Sequence, residues 1–151
     1  GPNHEELACL SGLTDYYEDI YNHHFSNQKI SLHEKGKAIF KLVYSHEEKL
    51  MEKLLSFLKS KNNVKLIGKS THLRSERMPT VSFTVKNKSS LLIAQEAGKN
   101  GIGIRNGDFY AWRCLKGLGI DTNDGVIRIS MVHYNSVEEV EKLINFLDIS
   151  I

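Results

Sequence analysis

The sequence predicts an α+β domain: a four-stranded, mostly antiparallel sheet with helices packed on one side, preceded by two helices. Three observations predict it. Short segments with a two-residue apolar alternation read as half-buried strands, the clearest being Thr80-Val81-Ser82-Phe83-Thr84-Val85 and Val126-Ile127-Arg128-Ile129-Ser130-Met131. Longer segments with apolar residues at helical spacing flank and separate them, several opened by a capping residue. The order of these signals is α-α-β-β-α-β-(α)-β-α, which is a mixed layer and not a strict β-α alternation.

Each element has its own reason. Asn3-His4-Glu5-Glu6 predicts a helix start, with Asn3 as cap and Glu6 answering it. Leu10, Leu13, Tyr17 and Ile20/Tyr21 carry that helix to about residue 24, and Ser26-Asn27-Gln28 reads as a turn. Ser31-Leu32-His33-Glu34 is a capping box. It opens a second helix to about Lys59, with a stripe of Ile39, Leu42/Val43, Leu50, Leu54 and Leu58. At about 29 residues it exceeds the usual range of roughly 8–20. Residues 64–68 read as a first strand, and 69–78 as a polar, basic connection holding Arg74 and Arg77. In the second strand Val81, Phe83 and Val85 point inward. Ser89 or Ser90 caps a short helix that Gly98 or Gly101 stops. The third strand is expected at 102–105, then a helical piece capped by Asp108 and ended by Gly117 and Gly119. Asn123-Asp124-Gly125 turns into the fourth strand, expected at 126–132. Ser136-Val137-Glu138-Glu139 opens a last helix that buries Val140, Leu143, Ile144 and Leu147. The chain is thus expected to divide at 1–28, 29–60 and 61–151.

The totals exclude some functions. With 20 basic and 18 acidic residues among 151, the charge is too balanced to imply a nucleic-acid partner. The basic stretch 69–77 is short and holds no aromatic residue for stacking on bases. No apolar run approaches the roughly 20 residues of a membrane span. Cys9 and Cys114 lie far apart and outside any C-x-x-C pair, which argues against a disulfide framework or a zinc site. Cys114 is expected to be a buried, small apolar side chain. The histidines and their acidic neighbours (His33-Glu34, His46-Glu47) read as surface positions, and no ligand set has metal spacing. The remaining carboxylates read as helix-surface or capping groups. No signal-peptide pattern opens the chain, and a cytoplasmic location is expected.

Arg128 is the residue with chemistry to offer. It lies mid-strand between apolar neighbours, on the face opposite Ile127, Ile129 and Met131. Such an arginine is either a surface charge or a positioned anion binder. Its planar fork suits a carboxylate, with two parallel hydrogen bonds. Arg105, ending the expected third strand, is either a solvated strand end facing Asp108 or part of the same site.

Several motifs carry a family resemblance. They are Gly101-Ile102-Gly103-Ile104-Arg105-Asn106-Gly107, then Arg128-Ile129-Ser130, and Tyr134-Asn135-Ser136-Val137-Glu138-Glu139-Val140. Upstream stand Arg77-Met78-Pro79-Thr80-Val81-Ser82-Phe83-Thr84 and Asn3-His4-Glu5. In order and spacing they resemble the C-terminal part of class V aminotransferases, nearest the cysteine-desulfurase-like branch. The resemblance implies a fold-type I enzyme using pyridoxal 5'-phosphate on an amino-acid substrate, with a homodimer as the usual assembly. It maps Arg128 onto the arginine that binds the substrate carboxylate and puts Arg105 close to the cofactor cleft. It places residues 1–28 in a large domain that also holds the cofactor's lysine, makes the long helix a link to the small C-terminal domain, and implies that this chain alone is inactive and binds no cofactor. In the desulfurase group a sulfur-accepting cysteine follows the R-x-G turn. Here that position is Tyr110, which cannot form a persulfide. The other reading is a free-standing α+β module for binding a small acid or for oligomerisation.

Overall fold

In the computed structural model, residues 1–26 and 29–151 are described; the turn expected at Ser26-Asn27-Gln28 falls largely outside them. The chain forms two compact units, Gly1–Ser45 and His46–Ile151.

The first unit contains α1, His4–His24, and the opening of α2, Leu32–Ser60. The Asn3 side chain accepts from the amides of Glu5 and Glu6 and so satisfies two donors left over at the helix start. At α2 the capping box is complete: Ser31 N–H donates to Glu34 Oε2 at 2.9 Å, and Glu34 N–H donates to Ser31 Oγ at 3.3 Å. The Ser31 N–H bond, with a second donated by Ser31 Oγ at 2.8 Å, holds the Glu34 carboxyl below its ordinary value. Tyr21 and Ile39 are buried, and Lys35 lies over the Tyr21 ring while pairing with Glu18 at 3.2 Å. The expected α1 stripe is only partly covered. Leu10 and Leu13 remain exposed, because this unit is a pair of helices with too little surface to enclose them.

In the second unit a four-stranded sheet carries the order β1-β2-β4-β3. Its strands are β1 Val64–Ile67, β2 Thr80–Val85, β3 Arg105–Gly107 and β4 Val126–Ser130, and every pair is antiparallel. The inner face presents Val81, Phe83, Val85, Ile127 and Ile129. Against it pack α2 through Leu50, Met51, Leu54, Leu55 and Leu58, α3 (Ser90–Lys99) through Ile93 and Ala97, and α5 (Val137–Ser150) through Val140, Leu143 and Leu147. The short helix α4 spans Trp112–Gly117. This is the expected α+β layer, with helices against one face of the sheet.

The third strand is shifted from its expected place. Residues 102–104 do not enter the ladder, and the end of α3 takes the first of them, Ile102. Gly101 takes φ +67°, its amide donates to the Gly98 carbonyl at 3.0 Å, and Ile102 N–H donates to the Ala97 carbonyl at 2.9 Å. That is a Schellman motif, which satisfies two of the last helical carbonyls with the amides of Gly101 and Ile102. Pairing with β4 therefore begins only at Arg105. The start of α5 needs no such correction: Ser136 and Glu139 exchange both capping-box bonds.

Candidate functional site

Strand alternation sends Arg128 away from the core. Register then decides its neighbours. Ser82 of β2 stands opposite Arg128 on one side and Arg105 of β3 on the other, and Ile67 of β1 completes the row behind Ser82. Directly opposed residues have Cβ atoms roughly 4.5–5.5 Å apart, so the two guanidinium arms share one patch of the outer face. Two like charges in opposed positions repel, and a bound anion relieves that cost. Arg128 is half-buried and Arg105 exposed. Among the described residues neither arginine has a carboxylate within ion-pair distance, and the expected contact of Arg105 with Asp108 is absent.

The loop after β3 closes over this row. Asp108 does not cap α4 directly; its Oδ1 accepts from Tyr110 N–H at 3.1 Å, and its carbonyl accepts from Ala111 N–H at 2.8 Å. This tight turn puts two consecutive non-glycine residues at positive φ, Phe109 at 52° and Tyr110 at 60°. The Phe109 ring is carried back over the sheet, with the Arg128 guanidinium carbon 3.8 Å from its centre. Tyr110 is turned fully into solvent. Strained backbone of this kind persists where the surrounding structure over-determines it, often at functional sites.

A second polar cluster corrects the surface reading of His46-Glu47. Glu47 is only 6% exposed. Its Oε2 lies 3.6 Å from Arg74 Nε, an ion pair wider than a hydrogen bond. Glu48 accepts from the Arg74 backbone amide at 2.7 Å, and His46 Nε2 donates to the Asn135 carbonyl at 2.7 Å. The connection 69–78 is thereby fastened to α2. Arg77, in the same connection, turns inward to the carbonyls of Lys69 and Thr80, and burial lowers its pKa. Burial pushes the Glu47 carboxyl above its ordinary value of 4.5, against the opposing pull of Arg74, His133 and His46. A carboxyl raised on folding favours the native state below its unfolded value, and this contribution is lost as pH rises through the folded value. Acidifying from neutral pH toward 4.5 should therefore raise the melting temperature through Glu47. Glu47→Gln should flatten that part of the profile, followed by Trp112 fluorescence. An unchanged profile in the variant would remove Glu47 as its source.

The family model described as aminotransferase class-V matches residues 18–143, most of the chain. The chain belongs to the class-V aminotransferase family. Over 116 residues it is 36% identical to the aminotransferase-like protein FGM3 of Gibberella zeae, covering 76% of this chain and 29% of that protein. A probable cysteine desulfurase of Pseudomonas putida is 30% identical over 106 residues, 70% of this chain and 24% of the relative. The chain thus spans less than a third of the length of these relatives. Among solved structures, the apo cysteine desulfurase of Thermococcus onnurineus superposes with a TM-score of 0.67 at 24% identity, over 79% of this chain and 28% of that one. It supports the fold. The NifS-like protein of Rickettsia africae gives a TM-score of 0.57 at 26% identity, over 70% and 28%. Members of the family use pyridoxal 5'-phosphate.

Cys114 departs from the buried position expected for it. It lies on α4 and is exposed, since this six-residue helix buries only Leu115. The residues present fit one part of a cofactor-dependent site. The row Ile67, Ser82, Arg128 and Arg105 offers cationic and hydroxyl groups to an acid, and no lysine stands in it.

Proposed function

We propose that this chain is the substrate-facing C-terminal part of a pyridoxal-phosphate-dependent enzyme acting on an amino acid, and that Arg128 seats the substrate carboxylate. The carrying observation is the outer-face row. A half-buried arginine held mid-strand, without an acidic partner among the described residues, stands between a serine and a second arginine. A carboxylate can take two parallel hydrogen bonds from Arg128 while the Arg105 charge adds to the field. Arg105 then acts as a second anion-binding group at the rim. The cofactor, when bound, serves as an electron sink for the bonds at the amino-acid α-carbon. The lysine that holds it belongs, in this reading, to the longer part of the enzyme, so this chain alone is inactive. Residues 1–28 belong to that larger body, the helix of residues 29–60 links it to the rest, and residues 61–151 form the small domain. The complete enzyme works as a homodimer in the cytoplasm; among the described residues no helix is long and apolar enough to cross a membrane.

The test uses the longer parent protein. Its visible cofactor band is recorded while single amino acids are titrated, with sulfide and alanine followed when cysteine is added. One amino acid should shift the band. Arg128→Ala should weaken that response by about 10- to 100-fold, the loss expected for a charge-assisted contact. Sulfide release would show that desulfuration proceeds with tyrosine at position 110. If added pyridoxal phosphate gives no band, the chain is instead an α+β module that binds small acids.

A further inference from the structure

The Arg128 side chain is long, and its anchoring on the outer face comes from a residue that the carboxylate does not touch. We infer that Phe109 is the positioning residue for Arg128, stacking on the guanidinium so that its donor edge faces the substrate. This rests on the reading of Arg128 as the carboxylate seat. The guanidinium carbon stands 3.8 Å from the ring centre, within the range of a strong cation–π contact. A ring over the flat side of a guanidinium leaves its N–H edge open, and that edge is the part that pairs with a carboxylate.

The loop is built to hold the ring there. Gly107 leaves β3 at φ +124° with its backbone packed tightly against Gly125, which fixes where the loop starts. Asp108 closes the turn on Tyr110 N–H. Between these two restraints Phe109 adopts φ 52°, a conformation an L side chain avoids unless something holds it. The contact with Arg128 offsets part of that strain. Tyr110, next in the chain and under the same strain, makes no such contact and is fully exposed, so the turn serves the inward ring. Arg105 has no aromatic ring over it among the described residues and is exposed. The two arginines are therefore unequal: Arg128 is held under the ring and Arg105 stands exposed at the rim.

The test uses the whole chain, 15N-labelled, with acetate as the probe at low ionic strength. The Arg128 Nε–H resonance should lie upfield in the free protein because of the ring above it, and should move saturably as acetate is added. Phe109→Leu should abolish the upfield displacement and weaken acetate binding about five-fold. Phe109→Trp should restore both, since an indole binds a cation at least as well and a general structural role would not predict rescue. If Phe109→Leu binds acetate as the native chain does while Arg128→Ala does not, Arg128 is the seat and the positioning role of Phe109 is overturned. If Arg128→Ala still binds as the native chain does, the reading of Arg128 fails and the inference falls with it. An Arg128 resonance with no upfield displacement in the native chain also overturns it.

Discussion

Gly125→Ala should destabilise the second unit by at least about 3 kcal/mol. Two costs add. The residue sits at φ +72°, where an L side chain costs roughly 1–2 kcal/mol. Its Cβ would also stand 2.2 Å from the carbonyl carbon of Gly107, a distance no real contact tolerates. The clashing atoms are backbone and cannot rotate away. Relief requires moving β3 from β4 at the Gly107–Val126 rung, in a strand that has only three residues. Gly119→Ala separates the two costs. That glycine has φ +68° but nothing within 4 Å of the added carbon, so only the torsional cost of roughly 1–2 kcal/mol applies. Urea melts followed by Trp112 fluorescence report on the unit that contains both glycines. Equal losses in the two variants would mean that the β3–β4 corner yields freely, and the rigidity claimed for the loop beyond Gly107 would go with it.

Legibility from sequence followed how local each determinant is. The capping boxes at Ser31 and Ser136 are four-residue signals, and both form as read. The alternation in residues 80–85 and 126–131 fixed which side chains enter the core, so the outward placement of Arg128 was readable. Its partners were not. That Arg105 stands opposite Arg128 depends on register between strands more than twenty residues apart, and register was shifted by the α3 cap at Gly101 and Ile102. The burial of Glu47 was available in the pattern: it falls on the stripe Val43, Leu50, Leu54 and Leu58 at helical spacing, and a basic connection follows the helix. In the sequence Asp124 is legible only as part of a turn. Its carboxylate also accepts from Ser90 N–H and Ser89 Oγ at 2.9 Å, tying the start of α3 to the entry of β4. Nothing local announces that bond, because its partners lie 34 and 35 positions away. The positive φ of Phe109 was equally silent, since no glycine or asparagine stands there to mark it.

Phe83→Ala should cost about 3–5 kcal/mol, the range for removing a large buried aromatic side chain. Phe83 has no exposed surface. It stands at the centre of β2, opposite Leu66 on β1 and Ile127 on β4, under the helix layer. Truncation removes its burial and leaves a space that three facing elements cannot all collapse into. The neighbouring residue supplies the control. Ser82, one position away, points to the opposite face beside Arg128. Ser82→Ala should change stability by no more than about 0.5 kcal/mol, as surface substitutions do. Its effect should appear instead as weaker binding of a carboxylate at Arg128, because the row loses a hydroxyl donor. The two neighbours thus report on opposite faces of one strand: Phe83 on whether the sheet exists, Ser82 on what its outer face holds. Melts of the two variants alongside acetate titrations would show this division. A large stability loss in Ser82→Ala would place that side chain in a packed environment and reverse the assignment of the outer face.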